Sequence, residues 1–174
     1  MEKIIAKCLK NNAKAKKQLY DLFSGKVMAI CCRYANSSFE ADDIFQNTFC
    51  KVFQSLHQFD PNRGDLGGWI YRITVNEALK QLKKNNLIHF EEEPGNSDYY
   101  NYSSNLSDNI TLEELKSVIN KLPKGQKTIF YLYAVDGYNH KEIAEMLDIS
   151  EGTSKSQYSR AKVTLKEHLK IYNS

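Results

Sequence analysis

Apolar residues return at steps of three and four along most of this chain, and the places where that rhythm stops mark out its parts. Over residues 1–35, Ile5, Leu9, Leu19, Leu22, Phe23, Val27, Ile30 and Tyr34 recur at near-helical spacing, with Lys14, Lys16 and Lys17 outside the stripe, and predict helix. Asn36-Ser37-Ser38 breaks the pattern. From near Ser38, Ile44, Phe45, Thr48, Phe49, Val52, Phe53 and Leu56 form a wide apolar face suited to a bundle core. Residues 59–65, FDPNRGD, hold Pro, Asn and Gly in succession and predict a loop. Beyond it, Trp69, Ile70, Ile73, Thr74, Ala78 and Leu82 make another helical stripe, while Arg72, Asn76, Lys80, Lys83 and Lys84 stay polar. Residues 86–111 lack apolar periodicity, carry Pro94-Gly95 amid Asn and Ser, and predict a flexible acidic linker.

The rhythm resumes at Thr111, which with Glu114 makes a capping box for LEELKSVINKL. Pro123 suits the first turn of the next helix, KGQKTIFYLYAV, which Asp136-Gly137 should end. Two further helical patterns meet in the last thirty-odd residues across a turn too short to be a linker. In the first, Ile143, Ala144 and Leu147 form the stripe. Asp148-Ile149-Ser150 supplies the turn, with Ser150 a good N-cap and Ile149 the apolar residue before it. Asp148 occupies the position where Gly is easiest, because positive φ costs a residue with a Cβ. In the second pattern, Ser154, Tyr158, Ala161, Leu165 and Leu169 share one face. Three Pro, eight Gly and few β-branched alternations complete an all-α reading. Two small helical domains are expected, a bundle over residues 1–85 and a helix-turn-helix domain over 112–174, joined by the linker 86–111.

Charge adds a partition that the net value of +3 hides. Residues 1–85 hold fourteen Lys/Arg against eight Asp/Glu; residues 86–111 hold none against five; residues 112–174 hold ten against eight. Two cationic lobes on an anionic strap suit a polyanion better than a metabolite. No run approaches the roughly 20 apolar residues of a membrane helix, so no membrane insertion is expected. The first twenty residues are charged throughout, without the apolar core of a signal peptide, which places the chain in the cytoplasm. Cys8, Cys31, Cys32 and Cys50 have no metal-type pair spacing and read as reduced core thiols; the four His are scattered. No Gly-rich phosphate loop, Ser/His/Asp order or metal set appears. Neither enzymatic chemistry nor a cofactor or metal is expected.

Candidate chemistry concentrates at three places. Opposite the apolar face of the last helix lie Thr153, Ser156, Ser159 and Arg160, flanked by Lys155 and Lys162. A small, hydroxylated, cationic face of this kind suits the DNA major groove: Arg bonds bidentately to guanine, hydroxyls reach bases or phosphates, and Lys neutralises phosphates. Asp42, Asp43 and Gln46 lie near the start of the helix beginning at Ser38. The helix dipole explains acids there; the alternative is a docking face for a basic partner helix, Asp43 and Gln46 sharing a side at i, i+3. Trp69, at the head of a basic helix facing a polar loop, is either core or a platform for an unstacked base.

These residues carry a resemblance. DDIFQNTFCKVF, then WIYRITVNEALKQLKK, then LPKGQKTIFYLYAVDGYNHKEIAEMLDISEGTSKSQYSRA, in that order and spacing, resemble a sigma factor of RNA polymerase, of the extracytoplasmic-function group of the sigma-70 family. The match runs from about residue 15 to 170, essentially the whole chain. The resemblance implies a subunit that binds core polymerase, through the beta-prime clamp helices and the beta flap, and directs it to promoters. Asp42, Asp43 and Gln46 match the positions that grip the clamp helices. Asp60, Asn62, Arg63 and Gly64 fall in the loop that captures a flipped base of the minus-ten element, with Trp69, Arg72, Asn76 and Lys80 on the helix beside it. Thr153, Lys155, Ser156, Ser159 and Arg160 fall on the minus-thirty-five recognition face. The linker, with Glu91, Glu92 and Glu93, would run along the enzyme's RNA path. An anti-sigma factor, often membrane-tethered, is the further implied partner. The chain departs from the family at Lys80, where Asp is frequent, and at Lys83, where Arg is usual. Ser154 and Tyr158 replace a common aliphatic pair, and Gln157 stands where a basic residue is often found, which bears on DNA sequence preference.

Overall fold

The computed structural model describes residues 1–84 and 111–172, and among them there is no strand. The all-α expectation holds. The chain divides into two units, Met1–Asn86 and Leu87–Ser174. The predicted linker, apart from Thr111, lies outside the described residues.

The first unit contains α1 (Glu2–Leu9), α2 (Ala13–Tyr34), α3 (Ser38–Ser55) and α4 (Leu66–Lys84), with short 3-10 turns at Leu56–Gln58 and Pro61–Arg63. The continuous helix expected over residues 1–35 is instead two helices, and two asparagines cause the break. Asn11 adopts a left-handed φ of 60°. Its N–H returns to the Cys8 carbonyl at 2.9 Å and that of Asn12 to Lys7 at 3.1 Å, a Schellman-type close. The Asn12 side chain then accepts from Ala15 N at 3.0 Å and starts α2. Ser37 caps α3 in the same way, accepting from Glu40 N at 3.2 Å. α2, α3 and α4 pack on one another, and α1 lies against α2. Leu19, Val27, Ile44, Val52, Ile70 and Val75 are buried between them. Each such side chain contributes about 1.5–3 kcal/mol relative to exposure. Arg33 Nη1 donates to Tyr71 Oη at 3.2 Å and links α2 to α4. The expectation of four core thiols holds for Cys8 and Cys31 only; Cys32 and Cys50 are exposed, because each falls off its helix's apolar stripe.

The second unit contains α5 (Leu112–Asn120), α6 (Lys124–Phe130), α7 (His140–Leu147) and α8 (Glu151–Tyr172). The Thr111–Glu114 capping box forms as predicted and holds the Glu114 carboxyl below its usual range. Pro123 sits at the N-cap of α6, one residue ahead of its expected place in the first turn. α6 widens into a π-turn at Tyr131–Val135, where Asp136 N reaches back to the Tyr131 carbonyl at 2.9 Å. α8 packs against α5, α6 and α7, burying Val118, Ile129, Leu132, Ile143, Ala161 and Leu165.

Candidate nucleic-acid and docking faces

The turn between α7 and α8 takes the conformation its sequence requires. Asp148 has φ 59° and ψ 49°, the left-handed geometry that a short polar side chain tolerates best after Gly. Ile149 N returns to the Ala144 carbonyl at 3.1 Å, and Ser150 Oγ accepts from Thr153 N at 2.9 Å to start α8. On the other side of α8, Ser154 is fully buried, its Oγ 2.9 Å from His140 Nδ1. The His140 ring stacks on Tyr133, centroids 4.3 Å apart, and Tyr158 lies 4.5 Å from Tyr133. The hydroxyls that replace the family's aliphatic pair therefore have a matched partner in His140. Burial, followed by the charge of Lys155, holds the His140 pKa below its usual range. Desolvation raises that of Tyr158.

Thr153, Lys155, Ser156, Ser159 and Arg160 all lie partly exposed on α8, away from its buried face. Several are engaged locally. Thr153 Oγ1 shares a hydrogen bond with Ser150 Oγ at 2.8 Å, Ser156 Oγ donates to the Thr153 carbonyl at 3.0 Å, and Lys155 pairs with Glu151 at 2.5 Å. Glu151, which the sequence reading passed over, thus screens a cation on the recognition face. It is a first-turn acid favoured by the helix dipole. Gln157 is buried, at 4% exposure. It lies within the packing rather than on the outer face, so it does not bear on DNA preference as expected.

In the first unit, Asp60, Asn62, Arg63 and Gly64 are all exposed in the loop before α4. Asp60 Oδ1 organises it, accepting from Asn62 N at 2.9 Å and Asn62 Nδ2 at 3.0 Å. Gly64 has φ 146°, open to glycine alone at low cost. Asp65 Oδ1 then accepts from Gly68 N at 3.0 Å at the start of α4, and a Cβ at Gly67 would stand 2.9 Å from that oxygen. Trp69 is half-buried and meets Phe59 edge to face, centroids 5.7 Å apart, so it is neither pure core nor a free platform. Arg72, Asn76 and Lys80 are exposed and follow it at i+3, i+7 and i+11, one stripe of α4. Lys80 Nζ is 3.9 Å from Glu77.

Asp42 and Gln46 are exposed on α3 and Asp43 is half-buried. The dipole account of the two acids weakens here. The acid of the first turn is Glu40, whose carboxylate accepts from both Asn36 N and Asn36 Nδ2 at 2.8 Å. Asp42 and Asp43 fall in the second turn, where the dipole has faded.

Among the described residues no group of His, Cys, Asp and Glu could hold a metal ion, and no helix is long and apolar enough to cross a membrane. The family described as Sigma-70 region 2 matches residues 19–88, and that described as Sigma-70, region 4 matches residues 112–165. The chain is 27% identical to the ECF RNA polymerase sigma factor SigW of Bacillus subtilis, over 98% of this chain and 99% of that one. It is 29% identical to the ECF RNA polymerase sigma-E factor of Haemophilus influenzae, covering 91% and 89% of the two chains. The fold is similar to that of the sigma factor RpoE of Bartonella quintana, solved with the anti-sigma factor NepR (TM-score 0.55, 23% identity, covering 89% and 96%). It is also similar to CnrH, solved with the cytosolic domain of CnrY (TM-score 0.51, 20% identity, covering 97% and 96%). With region 2 and region 4 in order within a chain aligned almost end to end with such relatives, this protein belongs to the sigma-70 family, in its extracytoplasmic-function group.

Proposed function

We propose that this chain is an initiation subunit that binds core RNA polymerase and directs it to specific promoters, its first unit capturing minus-ten DNA and its second reading the minus-thirty-five element in the major groove. One observation carries the reading: region 2 and region 4 matches occur together in the order 19–88 then 112–165, each on a helical unit with a polar outer stripe. The protein contributes binding energy rather than bond-making chemistry. Asp42, Asp43 and Gln46 engage the beta-prime clamp helices. Asp60, Asn62, Arg63 and Gly64 receive an unpaired base, Trp69 supports it, and Arg72, Asn76 and Lys80 follow the phosphates. Arg160 reads a base edge, and Thr153, Lys155, Ser156 and Ser159 position α8 on the duplex. Neither unit needs high affinity alone, because tethering on polymerase supplies a high effective concentration.

The site of action is the cytoplasm, where the chromosome and polymerase meet. An anti-sigma factor, soluble or membrane-tethered, masks the protein until its signal arrives; solved relatives held by such partners support this. In-vitro transcription from genomic fragments with purified core polymerase tests the reading. Addition of the chain should yield discrete new start sites with minus-ten and minus-thirty-five protection. An unchanged transcript pattern, with no recovery of polymerase by the tagged chain at low salt, refutes it.

A further inference from the structure

α3 has one side that no other element of its unit covers, and its most exposed member is apolar. Phe39, in the first turn, is 74% exposed, more than any other large apolar side chain in the described residues. At about 100° per residue, Phe39, Asp43, Gln46 and Cys50 follow at i, i+4, i+7 and i+11 along a single stripe. Ile44, Thr48, Val52 and Ser55, all buried, occupy the opposite side. Among the described residues neither Asp43 nor Gln46 has a side-chain hydrogen bond or ion pair. Glu40, the acid that the helix terminus does use, points back to Asn36 and stands off the stripe. The stripe is thus a phenyl ring left in water, an unneutralised carboxylate and an unsatisfied amide in one row about 16 Å long, at about 1.5 Å rise per residue.

We propose that this row is one docking epitope in which Phe39 is the apolar anchor, with Asp43 and Gln46 orienting the partner, and that its occupant is a helix of core polymerase pairing Arg or Lys with an apolar recess. The inference deepens the reading above and rests on it. Charge selects the occupant. Asp43, with Asp42 beside it, makes an anionic spot on a unit that holds fourteen Lys/Arg against eight Asp/Glu. A basic helix is drawn to that spot and a nucleic-acid backbone is repelled from it. Covering the ring returns its water to bulk, the usual source of affinity at the centre of an interface, and the flanking polar groups fix register. An anchor at one end of the row also sets which way the partner helix runs.

Cys50 supplies an internal reporter at the other end of the row. Cys8 and Cys31 are buried and burial raises both thiols, Cys31 to about 12, so they react slowly. With Cys32→Ser in the full-length chain, alkylation by N-ethylmaleimide reports on Cys50. Saturating core polymerase should slow that alkylation at least five-fold, and duplex DNA alone should not. In a titration with core polymerase, Phe39→Ala should weaken binding by about ten-fold, the size of a moderate interface anchor. Phe39→Leu should retain binding, and the thermal melt of both variants should match the parent. Asp43→Arg, a control for the face itself, should abolish binding. Phe39→Ala affinity within three-fold of the parent, or Cys50 reactivity unchanged by polymerase, overturns the proposal while leaving the initiation reading intact. A parent chain that fails to bind polymerase removes both.

Discussion

In the first unit, Thr48 and Thr74 are fully buried yet bond only to carbonyls one turn back in their own helices, each at 2.8 Å. In the second unit, the equally buried Ser154 reaches across the α7–α8 turn to His140 at 2.9 Å. The difference sets what each unit can tolerate. Apolar packing is non-directional, so the α2–α3–α4 bundle holds its candidate faces through contacts that can shift slightly without loss. The second unit fixes α8 with a directional bond, an aromatic stack and a left-handed residue, and these set the angle between two helices. A face that has to enter a groove needs that angle; a face that presents a stripe to a partner helix needs only a rigid support.

The strongest way to break this comparison is to damage one unit and watch the other. Ile143 is fully buried, so Ile143→Ala should cost about 2–5 kcal/mol. The single tryptophan, Trp69, lies in the first unit. Helicity should therefore be lost at lower denaturant while the Trp69 fluorescence transition stays where it was. Coincident shifts of both signals would mean that the units do not hold themselves separately.

Next in size, Arg160→Ala should weaken the upstream element by about 1–3 kcal/mol if the contact to a base is bidentate. Footprints of the reconstituted holoenzyme should lose upstream protection and keep the minus-ten contacts. The hydroxyls come third. Ser154→Ala leaves His140 Nδ1 without its partner and should cost about 1–3 kcal/mol. Thr74→Val should cost less than about 1 kcal/mol, because the Ile70 carbonyl keeps its helix N–H. Equal costs in chemical denaturation would erase the contrast.

The smallest effect is titration of His140. Its folded-state pKa lies below the ordinary 6.5, through burial and then the charges of Lys155 and Lys162, opposed by Glu151. The unfolded chain therefore takes up its proton first as pH falls through 6.5. The stability that neutral His140 contributes is complete above that pH, declines below it, and levels off under the lowered folded value. Melts at pH 7.5 and 5.5, flagged as about those values because buffers shift on heating, should show a small drop in Tm that His140→Gln removes. Glu114 and Glu151, both held below 4.5, titrate in a separate window.

Much of the fold was readable because it rests on neighbours within one helical turn. The Thr111–Glu114 box, the Ser150 cap and the strain at Asp148 all involve groups at most four residues apart, and all take the form expected. The break at Asn11 and Asn12 was equally local but was overridden by an apolar spacing that continues across it. The candidate faces on α4 and α8 followed from the helical wheel, and the structure puts their members on exposed or half-exposed stripes.

What the chain alone determined is the set of helices, their caps and their faces, since these depend on spacing and on hydrogen bonds closed within a few residues. The tertiary structure decided which exceptions to the wheel are interior and which are surface. Ser154 is inside because His140, fourteen residues away, supplies its partner, and Gln157 is inside because the helices around α8 close over it. Phe39 is outside because no helix of its unit crosses that end of α3. Burial is a property of neighbours brought from elsewhere in the chain, and only their arrival, or their absence, settles it.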